Sequence, residues 1–113
     1  MKAPVVWFEV IGKDGQKLRS FYGDVFGWKY ELDKEMDYGM VGCSDEGIPG
    51  GVGTAPKGSG WTTFYIQVPD LEQAVKAAEQ AGGQILQPIT KLPNVTLAVV
   101  SDPEGHPVGL VLG

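Results

Sequence analysis

One histidine, His106, stands in "SDPEGHPVGLVLG" (101–113), flanked by Asp102 and Glu104 and followed by an apolar tail. An imidazole beside carboxylates has the donor types for a divalent metal or for proton transfer near neutrality. Pro103 and Gly105 are also residues that bend a chain sharply before a strand, and on that reading His106 is an exposed turn residue. Glu9 is the second residue with chemistry to offer. In "VVWFEVI" (5–11) strand alternation puts Trp7, Glu9 and Ile11 on one face and Val6, Phe8 and Val10 on the other. A carboxylate on a half-buried strand is costly unless it is bonded or paired. Glu9 is therefore a ligand-binding acceptor, a base with a raised pKa, or a structural or solvated group. Cys43 has no His or cation beside it in sequence and reads as an inert, buried thiol.

The elements that must position these groups follow a repeated order. After the strand at 5–11, "DGQKLRSFYGDVFG" (14–27) has Leu18, Phe21, Tyr22 and Val25 at helical spacing. Asp14 caps its start, and Gly27 suits the left-handed position past its end. Short strands are expected at 28–32, 38–43 and 50–54. A second strand–helix pair follows, "TTFYIQV" (62–68) and "DLEQAVKAAEQAGG" (70–83), with Leu71, Ala74, Val75 and Ala78 inward. Asp70 with Gln73 resembles a capping box, and Gly82–Gly83 end the helix. Strands at 84–89, 95–101 and 107–112 complete the order. An offset of 56 residues aligns Phe8 with Phe64, Asp14 with Asp70, Gly27 with Gly83 and Gly53 with Gly109. The expected fold is α+β: two βαβββ units, 1–56 and 57–113, related by a pseudo-twofold in one domain.

Composition excludes several functions. With 17 Gly and 8 Pro in 113 residues the chain turns often, which favours short strands. A net charge of −5 without a basic cluster argues against nucleic acid. One cysteine cannot form an internal disulfide and fits a reducing compartment. No long apolar run or signal peptide is evident, so a cytoplasmic protein without a membrane partner is expected. There is no dinucleotide fingerprint, phosphate loop or serine elbow. "GIPGGVG" (47–53) is not followed by a helix and reads as a flexible strand edge or loop.

"FYGDVFGWKYEL", "VPDLEQAVKAAEQAGGQIL" and "SDPEGHPVGLV", in that order, resemble matching segments of the vicinal oxygen chelate superfamily of glyoxalases, bleomycin-resistance proteins and extradiol dioxygenases. The resemblance covers nearly the whole chain. It implies sheets cupped into an open barrel (the glyoxalase/bleomycin-resistance fold), with helices outside and a cavity within. Metal-dependent members take ligands from the first and last strands of each half. Carried over, those positions fall on Trp7, Thr63, near Gly53, and Gly109. Indole and glycine offer no metal donor and threonine alone is a poor one, so the resemblance implies no metal and no cofactor.

With Trp7 turned to the cavity, Glu9 joins it, as do Thr63, Tyr65 and Gln67 from the second half. Glu9 and Tyr65 become equivalent under the pseudo-twofold. Trp7, Trp61 and Tyr65 line the cavity for a flat apolar ligand or else fill a core, and Met40 adds adaptable packing. Trp28 is expected behind the helix. The expected function is a metal-free small-molecule binding protein like the bleomycin-resistance branch, taking an apolar or aromatic ligand. The alternatives are a metal-independent lyase, isomerase or hydrolase with Glu9 as general base, and an accessory subunit whose cavity is vestigial. A homodimer is expected from the resemblance.

Overall fold

The computed structural model describes residues 2–42, 47–55, 57 and 60–113. Its elements are β1 (Val5–Gly12), α1 (Gly15–Phe26), β2 (Tyr30–Asp33), β3 (Tyr38–Val41), β4 (Gly50–Thr54), β5 (Trp61–Val68), α2 (Leu71–Gln80), β6 (Gln84–Lys91), β7 (Thr96–Ser101) and β8 (Pro107–Leu112). The order is βαβββ twice, an α+β fold. The strand expected at 38–43 ends at Val41, and Cys43 lies outside the described residues. Among the described residues no helix is long and apolar enough to cross a membrane.

The chain divides into two compact units, an N-terminal unit of Trp7–Thr62 and a C-terminal unit of Thr63–Gly113 with Met1–Val6. The division therefore falls at 6/7 and 62/63, where the sequence suggested 56/57. The first residues belong with the C-terminal unit because the Gln67 amide donates to the Pro4 carbonyl at 2.9 Å and Ala3 packs on that unit's core.

In the N-terminal unit the strands lie in the order β2-β3-β4-β1, with β1 and β4 parallel. Asp14 caps α1 by accepting from the Lys17 amide, and Gly27 closes it at φ 74°, a value only glycine adopts freely. Of the residues at helical spacing, Leu18 and Tyr22 are half-buried. Gly15 and Arg19 are the buried residues of α1, whereas Phe21 and Val25 are more than half exposed. The helix approaches β4 closely: a side chain at Gly15 would strike the backbone at Gly53 and Thr54. That approach brings the inward Arg19 over the sheet, where its charge is met. Its guanidinium donates to the Val52 carbonyl (3.1 Å), the Asp37 carbonyl (3.3 Å) and the Asp37 carboxylate (2.7 Å). The Thr54 hydroxyl bonds the same carboxylate and accepts from the Gly15 amide. Buried charge is tolerated only with such pairing. Trp28 stacks on Tyr22 and tilts against Phe8, at 5.0 and 5.2 Å between centroids, on the helix side as expected.

In the C-terminal unit the order is β5-β8-β7-β6, again with the first and last strands parallel. Asp70 caps α2 through the Gln73 amide. Leu71 and Val75 are buried with Val68, Ala98, Val100 and Leu110, and Ala74 and Ala78 pack against that cluster, as the spacing predicts.

Candidate functional site

On β1 the alternation holds: Glu9 and Trp7 share a face with neighbours on β3. The Trp7 indole donates to the Tyr38 hydroxyl at 3.0 Å, and that hydroxyl donates to Glu9 Oε2 at 3.0 Å. The Trp61 indole reaches Glu9 Oε1 at 3.4 Å, a long contact. The half-buried carboxylate is thus oriented by a phenol and an indole.

The glycines of β4 make this possible. Gly51 is in register between Glu9 on β1 and Met40 on β3. The Tyr38 ring lies so close over Gly51 that an added Cβ would fall 1.9 Å from it; the Phe8 ring lies likewise over Gly50. A "GG" in a strand reads as weakness in a sequence, but here it marks the close approach of rings to backbone. Tyr38 joins this candidate site without having been singled out in the sequence; the cue was its place two residues before Met40, on the same strand face.

The structure therefore brings together Trp7, Glu9, Trp61 and, through its strand face, Met40, which is 37% exposed. Thr63, Tyr65 and Gln67 lie in the C-terminal unit. Thr63 is buried and its hydroxyl donates to the Pro107 carbonyl at 2.5 Å. Tyr65 is in register with Gly109, and its ring covers that glycine within 2.3 Å of where a Cβ would be. Gln67 packs along Gly113. Glu9 opposite Gly51 and Tyr65 opposite Gly109 occupy equivalent places in their units. The partner of Gly109 is accordingly Gly51, two residues before the Gly53 that a uniform offset suggests; Gly53 faces Ile11.

The positions where the resemblance expects metal ligands do not fit an ion. Trp7 has an indole bonded to Tyr38, Thr63 a hydroxyl committed to a carbonyl, and the two glycines no side chain. Among the described residues no group of three or more His, Cys, Asp or Glu side chains could hold a metal.

His106 sits in a turn closed by the Gly105 amide on the Asp102 carbonyl (2.9 Å) and the Asp102 amide on the His106 carbonyl (3.0 Å). Its Nδ1 lies 2.9 Å from Asp102 Oδ2, a pairing the sequence reading did not foresee, and its side chain is 71% exposed. The His106 backbone N–H, then its ring, hold the Asp102 carboxyl below the usual carboxylate range.

Hollows lie beside both helices. One of about 760 Å³ opens beside α1 and β2, along Arg19, Trp28, Tyr30 and Asp37. The other, of about 420 Å³, lies beside α2. Neither includes any of the expected ligand residues.

The model of the Glyoxalase/Bleomycin resistance protein/Dioxygenase superfamily matches residues 5–110. A glyoxylase-like domain-containing protein of Didymella fabae is 30% identical, over 74% of this chain and 72% of its own length. CFP32 of Mycobacterium bovis is 28% identical over 92% of this chain, which spans only 43% of that protein. A solved superfamily member from Vibrio splendidus superposes at a TM-score of 0.69 with 20% identity, covering 99% of this chain and all of that one. Methylmalonyl-CoA epimerase from Mycobacterium tuberculosis gives 0.65 with 12% identity, over 96% and 86%. At those identities the structures speak for the fold alone.

Proposed function

The chain belongs to the glyoxalase/bleomycin resistance protein/dioxygenase superfamily, and on that premise we propose that it binds a small molecule without a metal. The observation that carries this reading is the Trp7–Tyr38–Glu9 chain of hydrogen bonds with Trp61 beside it. Where a metal-dependent relative needs donors, this protein has an aromatic surface with a single oriented carboxylate. Such a surface suits an apolar or aromatic ligand that carries one donor for Glu9. Stacking on Trp or Tyr contributes about 0.5–1.5 kcal/mol beyond burial. A hydrogen bond to a charged acceptor adds about 1.5–3 kcal/mol, and an anionic ligand meets repulsion instead.

The second reading, a lyase or isomerase with Glu9 as base, draws support from Tyr38. A carboxylate held by a phenol is oriented for proton abstraction, and both are group types that serve in general acid–base catalysis. Intrinsic tryptophan fluorescence separates the two, using cationic, neutral and anionic forms of one aromatic scaffold. Binding predicts that Glu9→Gln erases the preference for the cation and that Trp7→Phe weakens all three. Tighter binding of the anion, or indifference to both substitutions, refutes the site. Turnover lost in Glu9→Gln with affinity retained selects the enzyme. We further propose that the protein acts in the cytoplasm as a homodimer, with no nucleic-acid or membrane partner.

A further inference from the structure

The two units share one plan but fill the space beside their helices differently. In the N-terminal unit the left-handed Gly27 is followed by Trp28, whose ring stacks on Tyr22 at 5.0 Å and 13°. In the C-terminal unit the left-handed Gly82 is followed by Gly83. Fifty-six residues beyond Tyr22 stands Ala78. Because α2 is two residues shorter than α1, counting from the left-handed glycines sets Gly83 against Trp28, whereas counting from the caps Asp14 and Asp70 sets Ala78 against Tyr22; small residues stand in both places. The result is the hollow of about 420 Å³, lined by Ile66, Ala74, Ala78, Gly83, Val108 and Leu110 among others. That volume lies within the range of small-molecule pockets, roughly 300–1,000 Å³.

The chain cannot fill this space from Gly83: a Cβ there would fall 2.2 Å from the Ser101 carbonyl oxygen. Phe64, the counterpart of Phe8, is still present two residues before Ile66 on the same strand face. It is 41% exposed and has no aromatic partner among the described residues. Among the described residues, Ser101 and Asp102 are the polar side chains along the hollow. The Ser101 hydroxyl accepts from the Gln84 amide. Asp102 is held by the His106 turn and stays ionised, so it disfavours an anion there.

We infer that the hollow between α2 and its sheet is a second small-molecule site, for a neutral planar aromatic of indole size, in the place that Trp28 occupies in the sister unit. It is independent of the Glu9 surface, and the two are distinguishable residue by residue.

The test is titration of the isotope-labelled protein with indole, followed by amide and methyl NMR shifts. Saturable shifts at Ile66, Ala74, Ala78, Gly83 and Val100 are expected, with affinity at least tenfold weaker in Ala78→Phe. Should that variant lose its circular dichroism, Ala74→Leu takes its place, with the same loss expected. Trp28→Ala should gain a second saturable indole site at Tyr22 and Phe8. Shifts confined to Trp7, Glu9 and Tyr38 would overturn the inference. So would undiminished binding in the filled variants. A change in assembly mass by light scattering in Ala78→Phe, with no indole bound by the wild type, would also overturn it and assign the hollow to a second copy of the chain.

Discussion

Replacing Gly51 with alanine isolates the physical basis of the Glu9 surface. The new methyl would sit 1.9 Å from the Tyr38 ring and must be cleared to an ordinary contact near 3.5–4 Å. The ring therefore has to move by about 1.5–2 Å, more than hydrogen bonds at 3.0 Å on both sides of its hydroxyl tolerate. Overpacking costs about 1–3 kcal/mol. Losing the Trp7 bond costs about 0.5–1.5 kcal/mol and losing the Glu9 bond about 1.5–3 kcal/mol, though a ring that swings away relieves part of the first term. The expected destabilisation is about 2–5 kcal/mol, a large share of the 5–15 kcal/mol typical of a domain. Urea unfolding at pH 7 measures it. Gly42→Ala is the control, since a Cβ there meets nothing within 4 Å among the described residues; it should change stability by less than about 1 kcal/mol. In a Tyr38→Ala background the cost of Gly51→Ala should nearly vanish. An equal cost in both backgrounds would show that the backbone of β4 resists the substitution, and the argument from ring approach would fail.

The Asp37 carboxyl is held below its ordinary range by the Thr54 hydroxyl and the Arg19 guanidinium. A depressed folded pKa contributes stability above the unfolded value near 3.9 that is lost as pH falls through the folded one. Asp37→Asn should thus lower the urea midpoint at pH 7 and flatten its decline below about pH 4; an unchanged decline would remove Asp37 from the account. Divalent zinc, nickel or manganese should not raise the melting temperature in a chelator-reversible way. A bound ion at 100 times its Kd would add about 2.7 kcal/mol, well within detection. Light scattering at micromolar concentration should give twice the chain mass, and a monomer would refute the proposed homodimer.

The helices and strands were legible because they obey local rules. Asp14, Gly27 and Asp70 act at the ends where capping chemistry puts them, and Leu71, Val75 and Ala78 follow the helical period onto the core. The inward face of α1 was not legible. Counting apolar residues selects Leu18, Phe21, Tyr22 and Val25, yet the buried residues are Gly15 and Arg19. The Arg19 partners Asp37 and Val52 lie 18 and 33 residues away, so nothing within one helical window announces that its charge is met.

The candidate site divides along the same line. Trp7 and Glu9 were placed on one face by the two-residue period of a strand, which needs only β1 itself. Tyr38 required the pairing of β3 with β4 and of β4 with β1, two long-range registers that no local pattern fixes. The same registers moved the counterpart of Gly109 from Gly53 to Gly51. What links the two halves is therefore a shared rule: a ring from one strand lying on a glycine of its neighbour, Tyr38 on Gly51 and Tyr65 on Gly109. A carboxylate at either glycine, as a metal-binding relative would need, could enter only by displacing that ring. In the N-terminal unit this would also break the bond that orients Glu9. The ring that orients Glu9 and a side chain at Gly51 therefore compete for one space on the same backbone.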